Sequence, residues 1–173
     1  MERKKPVAQK KSPANPEFQA ALKLYEEGKI PEAIAAYQKI VLKTPKDASA
    51  WLNLGAILRK ADQFEASVAC CKRALELSTA KGSFLTNLGN ALISMDRNEE
   101  ALAAHEEAVR LEPNSFLIRS NYAIALRECG FPEKALVHFD AACAMEPNND
   151  TMKWERALTY LDMAQYKEGW EAF

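Results

Sequence analysis

The residues able to do chemistry in this 173-residue chain form a row, not a cluster. Asn53, Asn87 and Asn121 recur every 34 residues, with Gln19 one interval before them and Glu155 one interval after. An asparagine amide offers one acceptor and two donors, which suits bidentate pairing with a peptide backbone N–H and C=O. A periodic row of such groups fits recognition of an extended chain, largely independent of that chain's side chains. Catalytic patterns are missing by comparison. His105 and His138 share no local motif with a cysteine or a pair of carboxylates, and no Gly-rich phosphate loop, HExxH or GxSxG occurs. The pairs Glu99-Glu100 and Glu106-Glu107 read as solvated helix faces. The sequence therefore predicts no catalytic residue, no cofactor and no metal site.

A row of this kind needs a repeating scaffold, and the stretch Trp51 to Leu77 supplies its unit. Trp51, Leu54, Gly55 and Leu58 fall at the spacing of one helical face, as do Phe64, Ser67, Val68, Cys71, Ala74 and Leu75, with a break at Ala61-Asp62-Gln63. Two amphipathic helices joined by a tight turn cannot bury their own apolar faces, so the hairpin needs copies of itself on either side. Shifts of 34 residues find them without a gap: the units begin at Ala14, Ala48, Gly82, Phe116 and Asp150. Small residues recur at the eighth position (Ala21, Gly55, Gly89, Ala123, Ala157) and at the twentieth (Ala33, Ser67, Ala101, Ala135, Gly169), where helices approaching to roughly 8–10 Å need them. Position twenty-four carries Tyr37, Cys71, His105, Phe139 and Phe173. Pro45, Pro113 and Pro147 close their units, and unit two departs with Thr79. Gly28 and Gly130 sit where first helices should stop, replaced by Asp62 and Asp96 elsewhere, and Pro31 and Pro132 open second helices.

This pattern resembles the tetratricopeptide repeat (TPR), and the resemblance covers residues 14–173. It implies an all-α solenoid of stacked antiparallel helical hairpins wound as a right-handed superhelix, with repeats 14–47, 48–81, 82–115 and 116–149 and a partial repeat 150–173. It further implies that first helices line a concave groove that binds a protein or peptide. Rungs about 10 Å apart would meet an extended peptide at about 3.3 Å per residue once every three residues. The row also resembles the asparagine row in the repeat domain of O-linked N-acetylglucosamine transferases, which holds extended substrate peptides; Asn53, Asn87 and Asn121 match it, whereas Gln19 and Glu155 depart. Asn at this position also serves as an ordinary polar groove residue. Positions nine, twelve and thirteen give Leu22, Tyr25 and Glu26, then Ala56, Arg59 and Lys60, then Asn90, Ile93 and Ser94, then Ile124, Arg127 and Glu128. Asn90, Arg59 and Arg127 join the row as candidate peptide-binding residues. A clamp for a partner's terminal carboxylate is not expected, because Thr86, Thr151 and Glu155 stand where its cations should be.

Composition agrees with a helical scaffold. Hydrophobic residues make up 48% of the chain and glycines number six, while Ala, Leu, Glu and Lys are plentiful. A net charge of −1 argues against a general grip on nucleic acid. The charge is uneven: Arg3, Lys4, Lys5, Lys10 and Lys11 stand against Glu2, so residues 1–13 read as a disordered basic tail with Pro6 and Pro13 in it. No apolar run is long enough for a membrane span or a signal peptide, and a cytoplasmic location is expected. Cys70, Cys71, Cys129 and Cys143 form no CxxC pair and read as reduced core thiols.

The last unit stops at Phe173, inside its second helix, and lacks a polar cap. Either the chain is a fragment of something longer or its end is covered by another molecule, and the fragment is preferred. The leading reading is a scaffold that holds an extended partner segment. One alternative is the substrate-positioning arm of a larger enzyme, most plausibly a bacterial glycosyltransferase. Ala157-Leu158-Thr159-Tyr160 and the stretch Glu168 to Phe173 resemble the final repeat before such a module. The other is self-assembly, a homo-oligomer burying Trp154, Tyr166, Trp170 and Phe173 between copies.

Overall fold

A computed structural model describes residues 16–79, 81–164 and 169. The expected basic tail and the end-face residues Tyr166, Trp170 and Phe173 lie outside the described residues. Nine α-helices and no strand occur among the described residues: α1 (Pro16–Glu26), α2 (Ile30–Lys43), α3 (Ala48–Lys60), α4 (Phe64–Leu77), α5 (Gly82–Ile93), α6 (Asn98–Leu111), α7 (Phe116–Glu128), α8 (Pro132–Met145) and α9 (Asp150–Asp162). The chain divides between Ala80 and Lys81 into two compact units, α1–α4 and α5–α9.

Local signals set the helix ends. The first helix of a hairpin stops at a residue with positive φ: Gly28 (75°), Asp62 (57°), Asp96 (56°), Gly130 (83°) and Ala164 (57°). Glycine adopts this left-handed conformation at no steric cost, and aspartate tolerates it better than most residues. Pro31 and Pro132 occupy the first turns of α2 and α8, where a missing N–H leaves no hydrogen bond unmade. Asp47, Ser115 and Asn149 cap α3, α7 and α9; the Asp47 carboxylate accepts from the N–H groups of Ser49 (2.9 Å) and Ala50 (3.2 Å). Each cap stands two residues after a closing proline, Pro45, Pro113 or Pro147. At the start of α5 both signals fail: Thr79 replaces the proline and Lys81 supplies no side-chain cap. The division into two units falls at that junction.

In the first unit, α1 packs on α2, α2 on α3, and α3 on α4. Its core joins Ala21, Ala33, Tyr37, Ile40, Leu54, Ile57 and Leu58, with Phe18 edge-on to Tyr37 at 5.3 Å between ring centroids. In the second unit, Ala123, Leu126, Ala135, Phe139, Cys143 and Met152 form the core between α7, α8 and α9. Small residues are required where paired helices cross. A Cβ on Gly89 would lie 2.6 Å from the His105 ring, and one on Gly55 would lie 3.0 Å from Cys71 Sγ. Ser67, at the same crossing, donates from Oγ to the Gly55 carbonyl at 2.7 Å. Cys70, Cys71 and Cys143 are buried free thiols, while Cys129 is half-buried. Burial pushes the Cys71 thiol up to about 12, so it stays protonated and behaves as a small hydrophobe.

Candidate functional site

The second unit places its first helices side by side: α7 packs on both α5 and α9. Position six of each therefore comes into register as Asn87, Asn121 and Glu155, and all three are half-buried. The two amides are oriented by their own helices. Asn87 Nδ2 donates to the Ser83 carbonyl at 2.9 Å, and Asn121 Nδ2 donates to the Leu117 carbonyl at 2.7 Å. One of each amide's two N–H groups is thereby spent, which holds the rest of the group at a fixed angle. Asn90 bridges the two helices, its Nδ2 donating to Asn121 Oδ1 at 3.4 Å. Asn90 and Asn121 thus form one polar patch.

The row ends at Glu155 in an ion-paired group whose pairing the sequence did not reveal. Arg127 Nη2 donates to Glu155 Oε2 at 2.8 Å, and Nη1 reaches Asp162 Oδ2 at 3.3 Å. The Arg127 and Glu155 side chains are only 22% and 13% exposed, so this pair is partly desolvated and its guanidinium is occupied within the chain. Opposite charges separated by slightly less or slightly more than one repeat were the available signal: Arg127 and Glu155 are 28 residues apart, and Arg127 and Asp162 are 35 apart.

The first unit carries Asn53 half-buried on α3 and Gln19 exposed on α1. Arg59 is half-buried on α3, and Lys60 Nζ sits 5.0 Å from the centre of the Tyr25 ring, a cation–π contact. Beside its amides this face adds Tyr25, Arg59 and Lys60 with one acid, Glu26, whereas the second unit adds Glu128, Glu155 and Asp162 around one cation, Arg127.

The two histidines are structural. His105 is fully buried, stacks on Tyr122 (6.1 Å, 15°), and neither ring nitrogen has a hydrogen-bond partner among the described residues. Burial pushes its pKa down to about 4, which keeps the ring neutral. Tyr122 packs on His138 at 4.6 Å, and Arg119 Nη1 lies 3.5 Å from His138 Nδ1. Burial, and secondarily the Arg119 charge, lowers the His138 pKa. Among the described residues no cluster of three or more His, Cys, Asp or Glu could hold a metal ion, and no helix is long and apolar enough to cross a membrane. Of the residues expected at a self-associating end, Trp154 on α9 is 49% exposed.

Tetratricopeptide-repeat models match residues 21–62, 46–111 and 86–150. The chain is a tetratricopeptide-repeat protein. Solved structures of the same fold include TTC0263, a thermophilic TPR protein from Thermus thermophilus, at 18% identity and a TM-score of 0.79, covering 91% of this chain and 86% of that one. YrrB, a TPR protein with an unusual peptide-binding site, aligns at 21% identity and a TM-score of 0.64 over 92% of this chain and 82% of its own. MamA from Desulfovibrio magneticus aligns at 15% identity and 0.73, over 91% and 89%. No curated protein matches the chain in sequence. Identities this low establish the TPR fold, an architecture of protein–protein interaction, and leave the choice of partner to the residues themselves.

Proposed function

We propose that this TPR protein is a scaffold that grips an extended peptide or partner segment along its first-helix faces, with Asn87 and Asn121 as rungs of the second unit and Asn53 as the residue at the same repeat position in the first. The carrying observation is the orientation of the two amides: each is tethered to its own helix through one N–H, on adjacent helices, at the same repeat position. A side chain fixed in this way gives up little entropy when it binds, which favours recognition of a regularly spaced ligand backbone. Asn90, bonded to Asn121, extends the patch, and Gln19 and Arg59 are further contacts in the first unit. Arg127 enters this reading as a residue that shapes the groove's charge, since its guanidinium is already paired.

Fluorescence polarisation of labelled extended peptides against Asn87→Ala, Asn121→Ala and the triple variant with Asn53→Ala tests the reading. Each rung removed is expected to weaken binding by about 1 kcal/mol, roughly fivefold. Unchanged binding by the triple variant would eliminate the ladder.

A further inference from the structure

The partner's side-chain chemistry is also legible, and this inference rests on the groove reading above. Residues 81–164 hold eight Lys and Arg against thirteen Asp and Glu, whereas residues 16–79 hold nine against eight. The excess reaches the first-helix face of the second unit. At positions six, nine, twelve and thirteen of α5, α7 and α9 the basic residue is Arg127, and the acidic residues are Glu128, Glu155 and Asp162. Arg127 is shared between Glu155 and Asp162, so one guanidinium faces two carboxylates. The two carboxylates differ in exposure, 13% for Glu155 against 53% for Asp162. Glu128, beside Arg127 in sequence, is exposed.

These facts treat ligand charges unequally. A ligand carboxylate seeking Arg127 would have to displace Glu155 and leave it mostly buried without that cation, or displace Asp162 and then share one guanidinium with Glu155 beside the freed carboxylate; either is costly. A ligand ammonium or guanidinium needs no displacement: Asp162 is half in solvent, and its pairing to Arg127 at 3.3 Å is the longer of the two. Glu155 thus occupies the place a ligand carboxylate would take, at the one rung of this unit where the amide row is broken. We propose that the second unit's groove selects extended segments bearing a Lys or Arg side chain and rejects acidic ones, with Asp162 and Glu155 as the specificity determinants.

The test uses the full chain and three capped peptides of one extended Ala/Ser/Thr sequence, differing only by Lys, Gln or Glu at a central position. At low salt the Lys peptide is expected to bind about tenfold more tightly than the Glu peptide, with the ratio shrinking as salt rises. Asp162→Asn, at the exposed end of α9, should reduce that ratio several-fold while leaving the Gln peptide unaffected. Glu155→Gln should raise affinity for the Glu peptide by releasing Arg127; should this variant fail to fold, the Asp162→Asn comparison still decides. Equal affinity for the Lys and Glu peptides, or preference for Glu, would overturn the charge selectivity. If the Gln peptide still binds and loses affinity in Asn87→Ala, the groove reading survives that failure. Binding of none of the three peptides would overturn both.

Discussion

The two units of this chain share one hairpin scheme and differ in what fills it. At position twenty-four, where the second helix leans on the first, the first unit holds Tyr37 and Cys71 and the second holds His105 and Phe139, all buried. Burial pushes Tyr37 and Cys71 each up to about 12 and pulls His105 down to about 4. All are neutral near pH 7, yet only His105 has an unfolded-state pKa within reach of mild acid. On the first-helix face, Lys60 rests on Tyr25 in the first unit, while the second offers tethered amides and two carboxylates around Arg127. The backbone geometry of a TPR hairpin therefore sets where a side chain points, and leaves open which chemistry it brings.

The largest break in this comparison should come from acid. Between about pH 6.5 and about pH 4 the unfolded chain binds a proton at His105 that the folded chain does not, so stability falls as pH falls through that window. The loss at the bottom of the window is on the order of 3 kcal/mol. Amide-exchange protection, corrected for intrinsic pH effects, should drop in residues 81–164 before residues 16–79, and His105→Phe should remove most of the gap, the remainder coming from His138, whose pKa burial also lowers. If both units lose protection together in the wild type and in the variant, His105 is not the acid-sensitive element.

A smaller break should come from Gly89→Ala. The added Cβ would sit 2.6 Å from the His105 ring and 3.1 Å from the Ala101 carbonyl, so ring and helix must shift. Overpacking of this kind costs about 1–3 kcal/mol. Ala123, the equivalent residue one repeat on, packs beside Phe139, so pairing Gly89→Ala with His105→Phe should recover part of the loss in a urea titration. A single variant as stable as wild type would show that the ring relaxes freely.

The smallest effect expected is local to the first unit. Asp47→Ala removes an acceptor shared by two N–H groups at the start of α3 and should cost about 1 kcal/mol. Because Lys81 gives α5 no side-chain cap, placing Asp at position 81 should stabilise the second unit by a similar amount; a thermal melt unmoved by Lys81→Asp would mean that another group already serves that helix end.

Much of the fold was legible because its signals are local and repeated. Turn positions at Gly28, Asp62, Asp96 and Gly130 follow from backbone sterics, helix openings at Pro31 and Pro132 from the missing N–H, and close crossings at Gly55 and Gly89 from the space a Cβ needs. A 34-residue period then multiplies each signal, and family models covering residues 21–150 agree with it. The candidate site was legible only as a row. Periodicity could place Asn87 and Asn121 on one face, but it could not show that each amide already donates to its own helix.

The sequence by itself thus determined the repeat, the helical hairpins and the shared register of Asn87, Asn121 and Glu155, because these depend on spacing along the chain and on the conformations individual residues permit. Tertiary structure decided the rest: that Arg127 is engaged by Glu155 and Asp162, that His105 is sealed from solvent with no partner for either nitrogen among the described residues, and that α5 begins a separate compact unit. Those properties depend on distances between residues about one repeat apart and on the exclusion of water, which exist only once neighbouring hairpins have packed.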